Sequence, residues 1–308
     1  MNTSELALVI FTIAAQMSVG AFLVLGGVHF FATRYAGIEE ADKLSDLALL
    51  AIGPVMVFGL IVSVLHLGNP INAWRAITNI GTSWLSREIL FGILFAGAGF
   101  LFTLMQWRKI GSPGLRNIVA LATAAFGVGL VVSMAMVYYT LPSVPAWNTW
   151  TTLASFFTTT LLLGALAIST AFVGSYTYLH ARGQAESEKQ REILVITLRW
   201  MALVALVMLG LQFIILPLYM GYLATSGPTA EQSAAILIDE HGVLFATRLL
   251  LIFLGAGIFS IFIYTMSRSN RNLRLMSTLV YGAFALVLVG EVIGRYLFYA
   301  SFARIGPL

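Results

Sequence analysis

The 308-residue sequence contains no cysteine, and only 10% of its residues are charged. Without thiolates the protein can neither close a disulfide nor hold an iron–sulfur cluster through its own sulfurs. Charged residues make up about 25% of a soluble domain, and no soluble core could hide the 59% of hydrophobic residues found here. The solvent for most of this surface is therefore lipid. In lipid every backbone N–H and C=O needs a partner within the protein, which leaves helices or a closed barrel. The apolar runs continue without period-2 alternation for far longer than the about 9–11 residues of a barrel strand. Also missing are a linker, a low-complexity tract, an obvious internal repeat and a soluble domain. The net charge of +4 needs no acidic partner, because topology-setting basic loops account for it. Nothing signals a nucleic-acid partner.

What is present is a set of eight apolar segments, at about 5–31, 45–67, 86–107, 116–141, 149–180, 194–221, 242–266 and 275–301. Each can cross about 30 Å of hydrocarbon at about 1.5 Å rise per residue. The first is too long for a signal-peptide core of about 7–15 residues and follows Glu5 rather than a basic region, so it reads as a retained helix. The expectation is an all-α polytopic integral membrane protein: one eight-helix transmembrane domain over 1–308. Eleven basic residues fall in or beside loops 1–2, 3–4, 5–6 and 7–8. Basic loops favour the cytoplasm, so both termini are expected outside, with the protein multi-pass in the cytoplasmic (inner) membrane. Loop 6–7, SGPTAEQSAAILIDEH, has the composition of a short interfacial helix. The tryptophans of loop 4–5, LPSVPAWNTW, suit the aromatic belt.

The sequence is organised around the hinge between the second and third segments, His66 to Glu88, which reads HLGNPINAWRAITNIGTSWLSRE. Charge at bilayer depth costs at least about 2.5–3.5 kcal/mol on insertion scales, so a retained intramembrane ionisable group points to function. Glu291 lies sixteen residues beyond Leu275, about 24 Å along the last helix and in its outer half. Arg295 follows one turn later on the same face. His66, Arg75, Arg87 and Glu88 belong to the outer hinge, Tyr138 ends the fourth helix there, and Gln16 sits near mid-depth on the first. The inner ends, with His29, His180 and loop charges, read as comparatively bland.

A histidine near a carboxylate can take and release protons near neutral pH. Arginine and tyrosine can donate hydrogen bonds to a carbonyl or phenolate oxygen, and apolar helices can hold an isoprenoid tail. The set suits quinol oxidation, though spacing alone does not separate that from a proton or ion path. An ion-translocating subunit would need a continuous polar route, and the third and fourth segments carry no mid-membrane charge. A haem-b cytochrome anchor would need paired axial histidines. The same-level pairs are His66 with His241 and His29 with His180. Within one helix, Glu291 and Arg295 could also simply neutralise each other.

HLGNPINAWRAITNIGTSWLSREI resembles the hinge of DmsC-type membrane-anchor subunits of dimethyl sulfoxide reductase, within the wider group of polysulfide and nitrite reductase anchors. FTIAAQMSVGAF, VYYTLPSVPAWNTW and GEVIGRYLFY extend the resemblance in order along the whole length. It implies eight helices with no haem or cluster of their own, and menaquinol oxidised to menaquinone near the outer face. Electrons would pass to a four-cluster ferredoxin-like iron–sulfur subunit and on to a molybdopterin catalytic subunit. The resemblance carries quinol-site roles onto His66 and Glu88. Gln16, Arg75, Arg87, Tyr138, Glu291 and Arg295 match motif positions, and their place at the quinol is inferred. Some family members have a small residue where Trp84 stands and an asparagine where Arg87 stands. The terminal acceptor is chosen by a different subunit.

Overall fold

The computed structural model describes residues 3–66, 79–181, 188–269 and 273–306. Among these residues there is no strand, and eight helices are long and apolar enough to cross a membrane. They are α1 (Thr3–Ala36), α2 (Ile38–His66), α3 (Trp84–Trp107), α4 (Pro113–Tyr139), α5 (Trp150–Ala181), α6 (Glu188–Thr225), a seventh crossing in pieces, and α10 (Leu273–Ala300). A short helix, α7 (Pro228–Ala235), precedes the seventh crossing and runs into a π-turn over Ile236–Glu240, in keeping with the composition of loop 6–7. The crossing itself is α8 (Gly242–Ile252), a π-helical stretch Phe253–Phe259 and α9 (Ser260–Ser269).

The predicted first connection, from about 32 to 44, is almost entirely helical. α1 and α2 meet at Gly37 alone, whose φ of +89° makes the reversal and whose N–H donates to the Thr33 carbonyl at 3.1 Å. A positive φ is open to glycine without Cβ strain. Arg34, Glu39 and Glu40 resemble loop residues because they are charged, but they continue the helices past the apolar stretch. The same holds for α6, whose 38 residues span about 57 Å against the expected 194–221. Local caps set two of the other starts: Ser83 Oγ accepts from Ser86 N at the head of α3. Ser112 Oγ accepts from Leu115 N before Pro113 opens α4.

α1 and α5 form the centre. Over their most apolar stretches 72% of residues are buried, against 22–39% for the other crossings. Their backbones touch at Gly20 and Gly164, where a Cβ on either would strike the other helix's backbone. Close approach through small residues is the usual way membrane helices gain packing, since lipid supplies no hydrophobic drive between them. Phe156, Leu162, Leu163, Leu166 and Phe172 of α5 are fully buried. Large apolar side chains instead face outward on the rim, as at Phe100 (72% exposed) and Leu121 (71%), which suits a lipid surround.

With eight crossings, the start of α1 and the end of α10 share one face, here termed the terminal face. The opposite, basic face is not bland. His29 Nε2 lies 2.8 Å from Asp42 Oδ1, and Gln106 Nε2 donates to Asp42 and Asp46 at 2.9 and 3.0 Å. Lys109 Nζ pairs with Asp42 at 2.5 Å and Asp46 at 2.9 Å. Arg116, 8% exposed, donates to Gln106 Oε1 at 3.0 Å. Sequence reading misses the cluster because its members come from four helices and look, singly, like loop charges.

Partial burial pulls the Lys109 pKa down, but hydrogen bonds and charge from Asp42 and Asp46 outweigh it and leave the ammonium above its ordinary value. A raised folded-state pKa gives stability that is full below lysine's ordinary pKa of about 10.4 and lost as pH rises through the raised value. Thermal unfolding is therefore expected to show no Lys109 contribution to pH dependence between pH 6 and about 9. A Lys109→Met variant should erase an alkaline shoulder in that curve. A difference between variant and parent that changes across neutral pH would contradict this.

Candidate functional site at the terminal face

Arg295 is the pivot. It is 5% exposed, and its Nη2 donates to Gln16 Oε1 at 2.8 Å. Gln16, wholly buried, donates in turn from Nε2 to the Phe156 carbonyl at 2.9 Å. The guanidinium lies 3.8 Å from the Phe156 ring centre and 5.4 Å from that of Phe298. The π-face partly compensates a cation that burial has stripped of water.

Glu291 sits one turn below, yet no ion pair joins it to Arg295 among the described residues. Its oxygens accept from Thr159 Oγ1 at 2.8 Å and Gln212 Nε2 at 2.6 Å instead. Mutual neutralisation within α10 therefore gives way to satisfaction by α5 and α6. Glu291, Arg295 and Arg248 line a cavity between α5, α6, α8 and α10, and its α5 wall is a stripe of hydroxyls: Thr151, Thr152, Ser155, Thr158 and Thr159. Gly294 leaves room for Arg248, since a Cβ there would meet its guanidinium. The Nε atoms of Arg248 and Arg295 are buried without a partner among the described residues. Glu291→Gln is expected to destabilise the fold by about 1–3 kcal/mol, because an amide in that place opposes a donor to Gln212. An unchanged unfolding midpoint in detergent would contradict the acceptor role.

On the other side of Arg295 lies a second group. Glu88, at the second turn of α3, is 7% exposed. Among the described residues no cation pairs with it and no side chain hydrogen-bonds its carboxylate. It is within electrostatic reach of Tyr138 and Tyr299, whose hydroxyls stand 3.1 Å apart. Tyr138 packs edge-on against Trp147 at 5.3 Å and Phe298 at 5.2 Å. Trp147, a belt residue by its sequence position, is built into this wall: it stacks on Phe298 and donates from Nε1 to the Phe298 carbonyl at 2.8 Å. Trp150, 55% exposed, is free to serve the belt.

The predicted site thus divides. Gln16, Tyr138, Glu291 and Arg295 gather around one aromatic wall, with Glu88 near its tyrosines. Glu88 does not line the cavity that holds Glu291. Arg87 is turned to another use: Nε donates to Ile80 O and Nη2 to Gly81 O, both at 2.8 Å, while its guanidinium covers Trp84 at 4.1 Å. It closes the turn before α3 and engages these donors there. Arg75 and the His66 side chain lie outside the described residues. His66 ends α2, so its backbone stands at the terminal face with the head of α3. His241 stacks on Tyr296 and lies 3.4 Å from its hydroxyl. His180 stacks on Tyr176 and His29 faces Asp42, so that pair is turned to different partners. Thr159, Gln212 and Tyr299 escape a reading of the sequence. The lone amide in VMLGLQFIILPL and the triple threonine in FFTTTLLL are the available signals.

A bundle of eight apolar helices with a buried polar centre near one face, and no described domain beyond it, has the build of a membrane-embedded subunit. Comparison makes this specific: the protein belongs to the DMSO reductase anchor subunit (DmsC) family, whose model matches residues 1–301. A subunit of the anaerobic dimethyl sulfoxide reductase of Haemophilus influenzae is 32% identical, over 97% of this protein and 96% of that one. Its counterpart in the anaerobic dimethyl sulfoxide reductase of Escherichia coli is 28% identical, over 98% and 96%. A subunit of the sulfite dehydrogenase of Allochromatium vinosum is 29% identical over 47% of each sequence. Among solved structures, the bd oxidase of Geobacillus thermodenitrificans shares the fold with a TM-score of 0.56 and 13% identity, covering 97% of this protein and 85% of that one. The resemblance carried by HLG-P, SRE and GEVIGR is therefore one of membership.

Proposed function

We propose that this protein is the menaquinol-oxidising membrane anchor of a molybdenum-containing reductase of the dimethyl sulfoxide reductase type. Family membership supports the anchor role. The observation that carries the quinol reading is Glu88: a buried carboxylate with no described cation partner, at the terminal-face end of α3 and within electrostatic reach of a tyrosine pair. Keeping a carboxylate in such a place is costly unless its proton chemistry is used.

Conversion of quinol to quinone releases two protons and two electrons. In this reading Glu88 takes one proton and His66 the other. Tyr138 donates a hydrogen bond to the ring oxygen, and Arg75 holds the second oxygen from the hinge. The electrons leave to an iron–sulfur subunit docked over the hinge and the 226–241 connection, which feeds a molybdopterin subunit. Protons leave by the same face. Buried apolar residues support that direction: Val19, Phe22 and Leu25 on α1, and Leu162, Leu163 and Leu166 on α5, lie between Gln16 or Thr159 and the basic face. The terminal face is then the outer side of the inner membrane.

The test is reduction of the partner's clusters by a water-soluble menaquinol analogue in membranes holding the full complex. Reduction is expected only when this anchor is present. Reduction at the same rate in membranes lacking it would contradict the reading.

A further inference from the structure

At the basic face a cavity of about 760 Å³ opens between α1, α2, α3 and α4, a size within the range of small-molecule sites. Its walls include Phe22, Leu25, Leu49 and Phe102. Its rim includes Phe30, 50% exposed, and Leu121, 71% exposed, so the mouth faces lipid. Gly26 and Gly27 on the rim have open space beside them.

The polar end of this cavity is incomplete. Ser45, Thr33 and Arg116 line it, and their Oγ, Oγ1 and Nε atoms are buried with no hydrogen-bond partner among the described residues. Ser45 is 5% exposed and Arg116 8%. Asp42 and Asp46 line the cavity too, and against Lys109, Arg116 and Arg34 they leave one positive charge unmatched. Lys109 and Gln106 occupy the carboxylates of Asp42 and Asp46, and Lys109 alone pairs with both. Arg116 reaches only a neutral amide oxygen, that of Gln106 at 3.0 Å. Arg34 also lines the cavity with no carboxylate partner among the described residues, its guanidinium 4.1 Å above the Phe30 ring. A buried cation without a counter-ion is unfavourable, and two cations with two idle hydroxyls form a receptor for an anion bearing several acceptor oxygens.

We propose that this cavity binds an anionic phospholipid drawn from the leaflet on the basic face. Its phosphate sits on Arg116 and Arg34, Ser45 and Thr33 donate to the phosphate oxygens, and an acyl tail lies along the apolar wall. Anionic lipid concentrated in the leaflet beside basic loops supplies the ligand. The site is independent of quinol chemistry at the terminal face.

The test uses the full complex in detergent, stripped of lipid, and follows binding by native mass spectrometry. Probes are phosphatidylglycerol, phosphatidylcholine, inorganic phosphate and menaquinone. Phosphatidylglycerol is expected to bind about tenfold more tightly than phosphatidylcholine, a difference of about 1.4 kcal/mol. Arg116→Gln and Ser45→Ala should each erode that preference. Equal binding of the two lipids, equal occupancy by phosphate alone, or displacement of phosphatidylglycerol by menaquinone would overturn the proposal. If Arg116→Gln fails to assemble, Arg34→Gln, which changes an exposed residue, takes its place. A preference reduced in that variant supports the site, and an unaltered one overturns it.

Discussion

Glu88→Gln is expected to slow menaquinol-driven electron delivery by about 10²–10⁴-fold, the usual contribution of a positioned general base, while the complex still assembles. The amide matches the carboxylate in shape but cannot accept a proton. Because Glu88 has no described ion-pair partner to lose, the substitution leaves no orphaned cation behind. Thermal stability should therefore hold, since no described side-chain contact of the carboxyl group is lost. This combination separates a proton acceptor from a structural residue. A structural carboxylate would lose stability and activity together, whereas a proton acceptor is expected to lose activity alone. Steady-state turnover with a menaquinol analogue, alongside an unfolding midpoint in the same detergent, reads both quantities. Near-parental turnover in Glu88→Gln would remove the residue from the reaction.

Gly164→Leu is expected to prevent accumulation of folded protein altogether. Ordinary overpacking of a core costs about 1–3 kcal/mol because side chains can shift. At Gly164 the obstacle is the backbone of Gly20 and Ala21 on α1, which cannot rotate aside. The added bulk must separate the two central helices along their length. Arg295 would then lose Gln16, and Gln16 would lose the Phe156 carbonyl, so the defect reaches the polar centre. Gly26→Ala is the comparison, because open space lies beside that glycine. It should accumulate as the parent does. The check is the yield of monodisperse protein after membrane extraction, and normal yield of Gly164→Leu would contradict the close approach of α1 and α5.

Much of the architecture is legible because lipid imposes a simple rule. Apolar runs long enough to cross must be helical, and their number and order follow. Boundaries fail where charge suggests loop: Arg34 and Glu39 continue helices past the hydrocarbon. The burial of polar groups is legible where a single helix holds a charged residue out of place, as with Glu88, Glu291 and Arg295. It is not legible where meaning depends on which helix faces which. Nothing in α10 alone says that Glu291 turns to Thr159 and Gln212 rather than to Arg295. Nothing in the hinge alone says that Arg87 spends two donors on the carbonyls of Ile80 and Gly81. The cluster at the basic face is invisible for the same reason, since Asp42, Gln106, Lys109 and Arg116 meet only after α1 to α4 have packed.

The most direct measurement of the central claim is photo-crosslinking of the assembled complex with an azido-menaquinone, followed by peptide mapping. The account predicts label on the first turns of α3 around Glu88 and on Tyr138 or its neighbours, abolished by excess menaquinol analogue. Competable label confined to the cavity at the basic face, with none near Glu88, would contradict it.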